Sequence, residues 1–394
     1  MSSFFGMKEI RYNRSFFPAI QIVLVVAYFK LMNGLLHFFA KALYQKVDQV
    51  GSILIFRTGS LGDSICAIPA IIAIRQAYPQ AKIDIMSNTG LKSLVSLKAL
   101  LNPNLYNEFI DYLGMEVKEL IPLLKAKKYD AVIQLPQNQA QPKTLLRDLF
   151  FFRLIIGIKK GFGWSYSTVK FWRKLQEKTI VYEQEIERLM KILAQNGIDA
   201  PATPQFEFNI AEADVTLVEK EALAIRAIRD KPFMGVVVGA KRPQNRWPIE
   251  HFKTVIEEFK EEFNMLIIGG PEDNLLLEPL LGVSGVFNLC GRFSPIQSGL
   301  MLQRCVLCLS NDTGPMHLAY AFGTPVMALF SARDFPNKWF PPQQNHHKVF
   351  RTYGVHCALC LSENCQDNIC MKKIDPREVT HAIRQLLNNL PLHN

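Results

Sequence analysis

From Ser52 onward the chain alternates short apolar runs with stretches of helical period, and it does so twice, on either side of a proline-bearing break. In the first pass 52–56 (SILIF), 82–86 (KIDIM), 130–135 (DAVIQL) and 153–158 (RLIIGI) read as strands, while 64–78 and 183–197 space their apolar residues as helices do. Gly197 stops the second of these helices, and 198–209, with two prolines and no period, reads as a linker. The second pass sets strands at 233–240, 265–270, 286–290, 306–310 and 325–330. Helices at 213–229, 248–262, 274–281, 295–304 and 314–322 separate them, and 375–390 closes the chain as an amphipathic helix. Such alternation builds parallel βαβ units with helices on both faces of the sheet. The expected fold is therefore α/β: two doubly wound, Rossmann-like domains facing across a cleft. Ligands in these sheets bind beyond the carboxyl ends of the strands, so the strand-to-helix junctions are the places to look for chemistry.

Ahead of the first strand lies a different kind of segment. Residues 16–29 (FFPAIQIVLVVAYF) hold Gln21 as their one clearly polar side chain, with Arg11 and Arg14 before them and Lys30, Lys41 and Lys46 after. A spanning helix needs about 20 apolar residues, which would carry it past Lys30. A signal peptide would place Lys41 inside its cleavage site. An interfacial helix needs only an apolar face and basic flanks; membrane association is the expectation, surface-lying ahead of spanning, and a helix buried on the main body is the alternative. Across all 394 residues, 45 Lys and Arg against 35 Asp and Glu leave a net charge of +10, which favours an anionic partner: nucleic acid, phosphorylated ligand or membrane surface.

Three junctions carry residues suited to catalysis or binding. In 56–70 (FRTGSLGDSICAIPA), Thr58, Gly59, Ser60 and Gly62 make a small turn that lets a ligand approach the backbone, and Asp63 opens the helix. On spacing alone Asp63 is a helix cap or first-turn acid; at the mouth of a cleft it is also placed to take a proton from an alcohol. The turn matches neither the dinucleotide fingerprint nor a Walker loop. In 236–252 (VVVGAKRPQNRWPIEHF) a buried strand runs into Gly239 and then Lys241, Arg242 and Arg246, cations that suit a diphosphate, with a solvated loop as the alternative. In 309–330 a strand ends at Asn311-Asp312-Thr313-Gly314-Pro315, and His317 lies on the first turn of the next helix. Free N–H groups, a hydroxyl and a helix start form a ready phosphate site.

Taken together and in this order, these segments resemble the family 9 glycosyltransferases, the lipopolysaccharide heptosyltransferases of Gram-negative bacteria. The resemblance runs over about residues 52–390 and is carried by ILIFRTGSLGDSICAIPA, GAKRPQNRWPIEHF, GGPEDN, LCGRFS and SNDTGPMHLAYAFGTPVMALF. It implies the GT-B architecture, with an N-terminal extension over 1–48, an acceptor-binding domain over 49–205, a nucleotide-sugar domain over 206–374, and a closing helix, 375–394, that crosses back to the first domain. It implies Asp63 as the catalytic base and Lys241 as the cation that neutralises the leaving diphosphate. Gly239, Arg242, Glu272, Asp312, Thr313, Gly314 and His317 would bind the donor, and Thr58, Ser60 and Gly62 the acceptor. Glu272 has Asp273 beside it as a competitor for the ribose contact. Inverting transfer needs one base, not the paired carboxylates of retaining hydrolysis. No D-x-D motif lies near the junctions, so the reaction is expected to need no metal or other cofactor.

The implied partners are ADP-heptose, an anionic lipid-linked sugar acceptor and the inner face of the cytoplasmic membrane, and no nucleic acid. The rivals are a GT-B enzyme with another nucleotide sugar, an epimerase-type enzyme, and a non-catalytic polyanion-binding protein. Two segments depart from the family pattern: the extension ahead of Ser52, and 143–157, where acceptor-specific residues would stand.

Eight cysteines divide into two sets. Cys66, Cys290, Cys305 and Cys308 fall in apolar runs, where a thiol packs as a small hydrophobe. Cys357, Cys360, Cys365 and Cys370 have the spacing C-x2-C-x4-C-x4-C, open to unmetallated packing, a structural zinc or iron–sulfur centre, or disulfides.

Overall fold

The computed structural model describes residues 16–88, 97–138, 142–164, 183–199, 201, 203–342 and 346–389. Two all-parallel sheets form its frame. The first contains β1 (Ser52–Phe56), β2 (Lys82–Ser87), β3 (Glu108–Asp111), β4 (Ala131–Gln134) and β5 (Lys160–Phe162), in the order β3-β2-β1-β4-β5. The second contains β6 (Phe233–Val237), β7 (Asn264–Ile267), β8 (Val286–Asn288), β9 (Cys305–Asn311), β10 (Val326–Phe330) and β11 (Lys348–Arg351), in the order β11-β10-β9-β6-β7-β8. Both are doubly wound, and together they make the two Rossmann-like halves of a GT-B architecture.

The apolar runs are buried on both faces because the side-chain period of a strand is two. In β1, Ile53 and Ile55 enter one core while Leu54 and Phe56 enter another. In β6, Phe233 and Val237 join the core of Ile53, and Met234 and Val236 point to the opposite face. The shared core passes through α2 (Leu61–Ala77), α5 (Glu185–Ala194), α8 (Pro295–Gln303) and α9 (Gly314–Ala321), so apolar packing continues from one half into the other. The chain between α5 and α6 (Glu212–Ile228) straps the halves together. Asn209 N–H donates to Leu100 O at 2.9 Å, and Phe208 stacks on Phe322 with ring centroids 4.3 Å apart.

Several expectations are corrected. Residues 153–158 form no strand: α4 (Pro142–Phe150) continues into a wide π turn over Phe151–Ile156, and Arg153 Nε donates to Leu43 O at 2.6 Å. Two strands not marked in the sequence, β3 and β5, complete the five; EFID and KGF are too short to stand out. The helix expected at 274–281 is two 3₁₀ turns, Pro271–Leu276 and Glu278–Leu280. The closing helix α11 (Pro376–Asn389) rests on the second half rather than crossing back. Its Val379 and Ile383 join the core of α7 (Ile249–Phe259), and Arg384 lies 4.3 Å over the Phe259 ring and pairs with Glu258 and Glu262. The thiols of Cys66, Cys290, Cys305 and Cys308 are buried, as core packing requires.

The two halves meet most closely where the starts of α2 and α9 abut. A Cβ at Gly62 would stand 2.9 Å from the His317 ring, and one at Gly314 would stand 2.6 Å from Leu61. The contact is made by the absence of side chains. Gly62→Val should therefore lower the unfolding free energy by about 1–3 kcal/mol, the usual cost of overpacking. Chemical denaturation checks this, and an unchanged midpoint would show that the two helix starts are not in contact in solution.

Candidate active site

The N-terminal wall of the site is built at the end of β1. Ser60 caps α2 in an extended conformation, and Asp63, three residues on, reaches back: its Oδ2 accepts from Ser60 N–H at 2.9 Å and from Ser60 Oγ at 2.8 Å. Gly59 has φ +151°, and a Cβ there would fall on the Asp63 side chain, so only glycine allows this carboxylate its position. Asp63 is thus a helix cap, and its side chain is still 18% exposed.

Beneath it lies Arg57, which is 1% exposed. Its Nη1 donates to the carbonyls of Leu135 and Pro136 at 3.2 and 3.0 Å, and its Nη2 donates to Asp63 O at 2.8 Å. The same Nη2 stands 3.6 Å from the Asp63 carboxylate and 3.4 Å from Glu185. Glu185 also accepts from Asn138 at 2.9 Å and Arg188 at 2.8 Å. Burial pushes the Glu185 carboxyl up, but Arg188 and Arg57 outweigh it and hold the group below its ordinary range.

The C-terminal wall comes from β6, β9 and β10. Asn311 at the end of β9 accepts from Trp247 N–H at 3.0 Å and donates to Val238 O at 2.8 Å, which locks the two loops in register. Asp312 accepts from Asn245 at 3.0 Å, and Asn245 in turn accepts from Ser331 Oγ at 2.7 Å. Burial, reinforced by the Asp334 carboxylate, pushes Asp312 up to about 7. Asp334 pairs with Lys338 at 3.3 Å; burial raises its carboxyl, and Lys338 more than compensates. Thr313 caps α9 in an extended conformation with no cap bond from its side chain, which leaves its hydroxyl beside the Gly314 N–H; Pro315 has no N–H, and that of Met316 donates to Thr313 O at 3.1 Å.

The remaining expected residues take distinct places. Lys241 is exposed and has no ion-pair partner among the described residues. Arg242 lies 3.8 Å from Glu363, and Gly239 is buried. Of the adjacent acids, Asp273 is buried against Gly239 and Gly269 and accepts from Gly270 N–H at 3.0 Å, whereas Glu272 is exposed. The structural duty falls on Asp273. His317 is 4% exposed and faces Gly62; its Nδ1 lies 2.8 Å from Tyr320 Oη, and burial pushes it down to about 4. Thr58 and Ser60 are half-buried on the turn, while Gly62 is buried in the contact between the halves.

Cys357, Cys360 and Cys365 are half-buried and Cys370 is buried. Their loop is stitched to the loops after β6 and β10: Leu359 N–H donates to Ala332 O at 2.7 Å, Arg333 Nε to Ser362 O at 2.9 Å, and Asn368 Nδ2 to Arg246 O at 2.9 Å. Among the described residues no three His, Cys, Asp or Glu side chains are grouped to hold a metal ion, so the geometry does not support the structural zinc allowed by the spacing. The loop's order comes instead from these backbone and side-chain bonds.

Sequence reading missed Arg57, Glu185, Arg188, Asn245, Ser331, Asp334 and Lys338. Most of these find partners far along the chain, such as Glu185, 128 residues from Arg57, so no local pattern announces them.

Two doubly wound halves, with a capped carboxylate on one and a helix start facing it from the other, have the GT-B architecture. The family model for glycosyltransferase family 9 (heptosyltransferase) matches residues 117–370, more than half of the chain, and the chain belongs to that family. Lipopolysaccharide heptosyltransferase 2 of Escherichia coli K12 is 24% identical over 330 residues, 77% of this chain and 89% of its own. Among solved structures, a family 9 glycosyltransferase from Veillonella parvula superposes with a TM-score of 0.67 at 22% identity, covering 88% of this chain and 99% of its own. The E. coli ADP-heptose LPS heptosyltransferase II superposes at 0.61 with 22% identity, covering 86% and 98%.

Asp312 provides a test of the C-terminal wall. A carboxyl whose folded pKa exceeds its unfolded value costs the fold stability as pH rises from the ordinary carboxylate range toward about 7. Asp312→Asn should gain on the parent protein by up to about 2 kcal/mol between pH 5 and 8. Melting curves of both proteins at the two pH values check this; a constant difference would mean that Asp312 is not shielded from water.

Proposed function

We propose that this protein transfers a heptose from ADP-heptose to a lipopolysaccharide core precursor, with inversion and without a metal. The acceptor is bound by the first half and the donor by the second. The observation that supports the reading is the abutment of α2 and α9, in which Gly62 faces His317 and Gly314 faces Leu61; Asp63 and Thr313 each adjoin a residue of that contact. Family membership and the likeness to the E. coli ADP-heptose LPS heptosyltransferase II support the choice of sugar.

In the proposed reaction Asp63 accepts the proton of the acceptor hydroxyl as that oxygen attacks the anomeric carbon. The bond from this carbon to the β-phosphate oxygen breaks, and ADP leaves with the bonding pair. Lys241 and the Gly314 N–H at the start of α9 meet the charge that develops on the diphosphate. Arg242 and Thr313 assist on the same side, and the exposed Glu272, not Asp273, meets the donor ribose. His317 would hold the helix start against Gly62. Thr58 and Ser60 line the acceptor side. The acceptor is an anionic lipid-linked sugar, so the enzyme works at the inner face of the cytoplasmic membrane.

Asp63→Asn keeps the cap from Ser60 but removes the proton acceptor. It should fold, bind ADP-heptose as the parent does and lose about 10²–10⁴-fold in kcat. Transfer measured with saturating donor and acceptor, alongside donor titration, is the check. Near-parental turnover would remove Asp63 from the base role.

A further inference from the structure

The helix ahead of the first sheet, α1 (Phe16–Leu43), meets the body along the side that carries Leu36 and Phe39. Leu36 is buried, Phe39 meets Phe150 edge-on at 5.1 Å, and Tyr44 Oη donates to Leu149 O at 2.8 Å. A second side is apolar and open to solvent. Leu24 is 64% exposed, Tyr28 45%, Leu31 64% and Phe38 63%. At about 100° per residue these four, with Leu35 and Ala42, fall within roughly 40° of one line along the helix. Leu154 and Ile155 are 62% and 44% exposed on the π turn that extends α4, the helix on which α1 packs. Large exposed apolar side chains scattered singly are ordinary; six on two elements in mutual contact make a surface.

The charge around that surface has one sign. Between Glu9 and Asp48 the chain holds no Asp or Glu, but it does hold Arg11, Arg14, Lys30, Lys41 and Lys46. Lys30 and Lys41 are both exposed and lie about 100–120° round the helix from the apolar line, on the side away from Leu36. The apolar stripe thus runs between the protein body and a cationic edge. That is the cross-section of a helix lying in an interface.

We propose that α1 docks on an anionic lipid surface, with Leu24, Tyr28, Leu31 and Phe38, joined by Leu154 and Ile155, facing the acyl region and Lys30 and Lys41 at the headgroups. A second copy of the chain is the poorer occupant: two such faces would bring cations together with no acid between Glu9 and Asp48 to pair them. Spanning is the poorer topology, since Lys30 and Asn33 interrupt the apolar run and Leu36 and Phe39, further along the helix, pack on the protein body. This proposal stands on α1 and its surroundings and does not need the transfer chemistry, so Asp63→Asn and a loss of docking report on separate claims.

The test is co-sedimentation of the full-length protein with vesicles of phosphatidylglycerol and phosphatidylethanolamine, against vesicles of phosphatidylcholine. Binding to the anionic vesicles should exceed binding to the neutral ones at least about tenfold and should weaken with salt. The triple variant Leu24→Ser, Leu31→Ser, Phe38→Ser should lose at least about thirtyfold in vesicle affinity, with circular dichroism and donor binding unchanged. Lys30→Glu with Lys41→Glu should lose about tenfold on anionic vesicles only. Should the triple variant fail to fold, Leu154→Ser with Ile155→Ser supplies the same test on the neighbouring turn, with a loss of about fivefold expected. Equal binding to both vesicle types, undiminished binding by folded stripe variants, or a dimer in lipid-free solution that those variants dissociate would overturn the proposal.

Discussion

A buried arginine holds the first half of this protein together at the point where chemistry is expected. Arg57 leaves the end of β1 with almost no water around it, and its guanidinium is shared among the carbonyls of Leu135, Pro136 and Asp63 and the carboxylate of Glu185. Removing one member of such a cluster strands a charge in the interior, at a cost of about 3–5 kcal/mol. The cluster therefore fixes the start of α2, the loop after β4 and the start of α5 relative to one another. It also reaches across the molecule. Glu185 N–H donates to Lys338 O at 3.0 Å, and Gln184 donates to Phe340 O at 2.9 Å, so the first turn of α5 is tied to the loop that follows β10.

The second half repeats the same physical solution with different residues. Asn245, Asn311 and Ser331 join the ends of β6, β9 and β10 by side-chain bonds, and Lys338 neutralises Asp334 beneath them. Above this floor stand the Thr313 hydroxyl and the Gly314 N–H, and Lys241 extends from the neighbouring loop without an ion-pair partner among the described residues. The two walls can approach because Gly62 and Gly314 carry no side chain at the crossing of α2 and α9. Rigid polar floors, a shared apolar core and a close approach at two glycines make a cleft whose opposing groups keep a fixed relation.

Much of this was legible in the sequence because it is periodic or local. Strands such as 52–56 and 306–310 show themselves by continuous apolar runs, and the Asp63 and Thr313 turns by small residues between a strand and a helix. What was not legible depends on partners distant in the chain. Arg57 looks like any cation after a strand until Glu185 folds onto it. The run at 153–158 has the composition of a strand, yet it turns outward as a π turn because Arg153 is drawn to the end of α1. The closing helix, placed against the first domain by resemblance, is held by Phe259, Glu258 and Glu262 of α7. Even the choice between Glu272 and Asp273 needed the neighbouring glycines, which leave room for one buried carboxylate.

The account's central claim is that the cleft moves a sugar from a nucleoside diphosphate to a separate acceptor. Mass spectrometry of a reaction containing the purified protein, ADP-heptose and a heptose-deficient lipopolysaccharide acceptor tests it most directly. The predicted result is one heptose on the acceptor for each ADP released, and no ADP release when the acceptor is left out. ADP-heptose consumed or isomerised without acceptor, or transfer only from another nucleotide sugar, would contradict it.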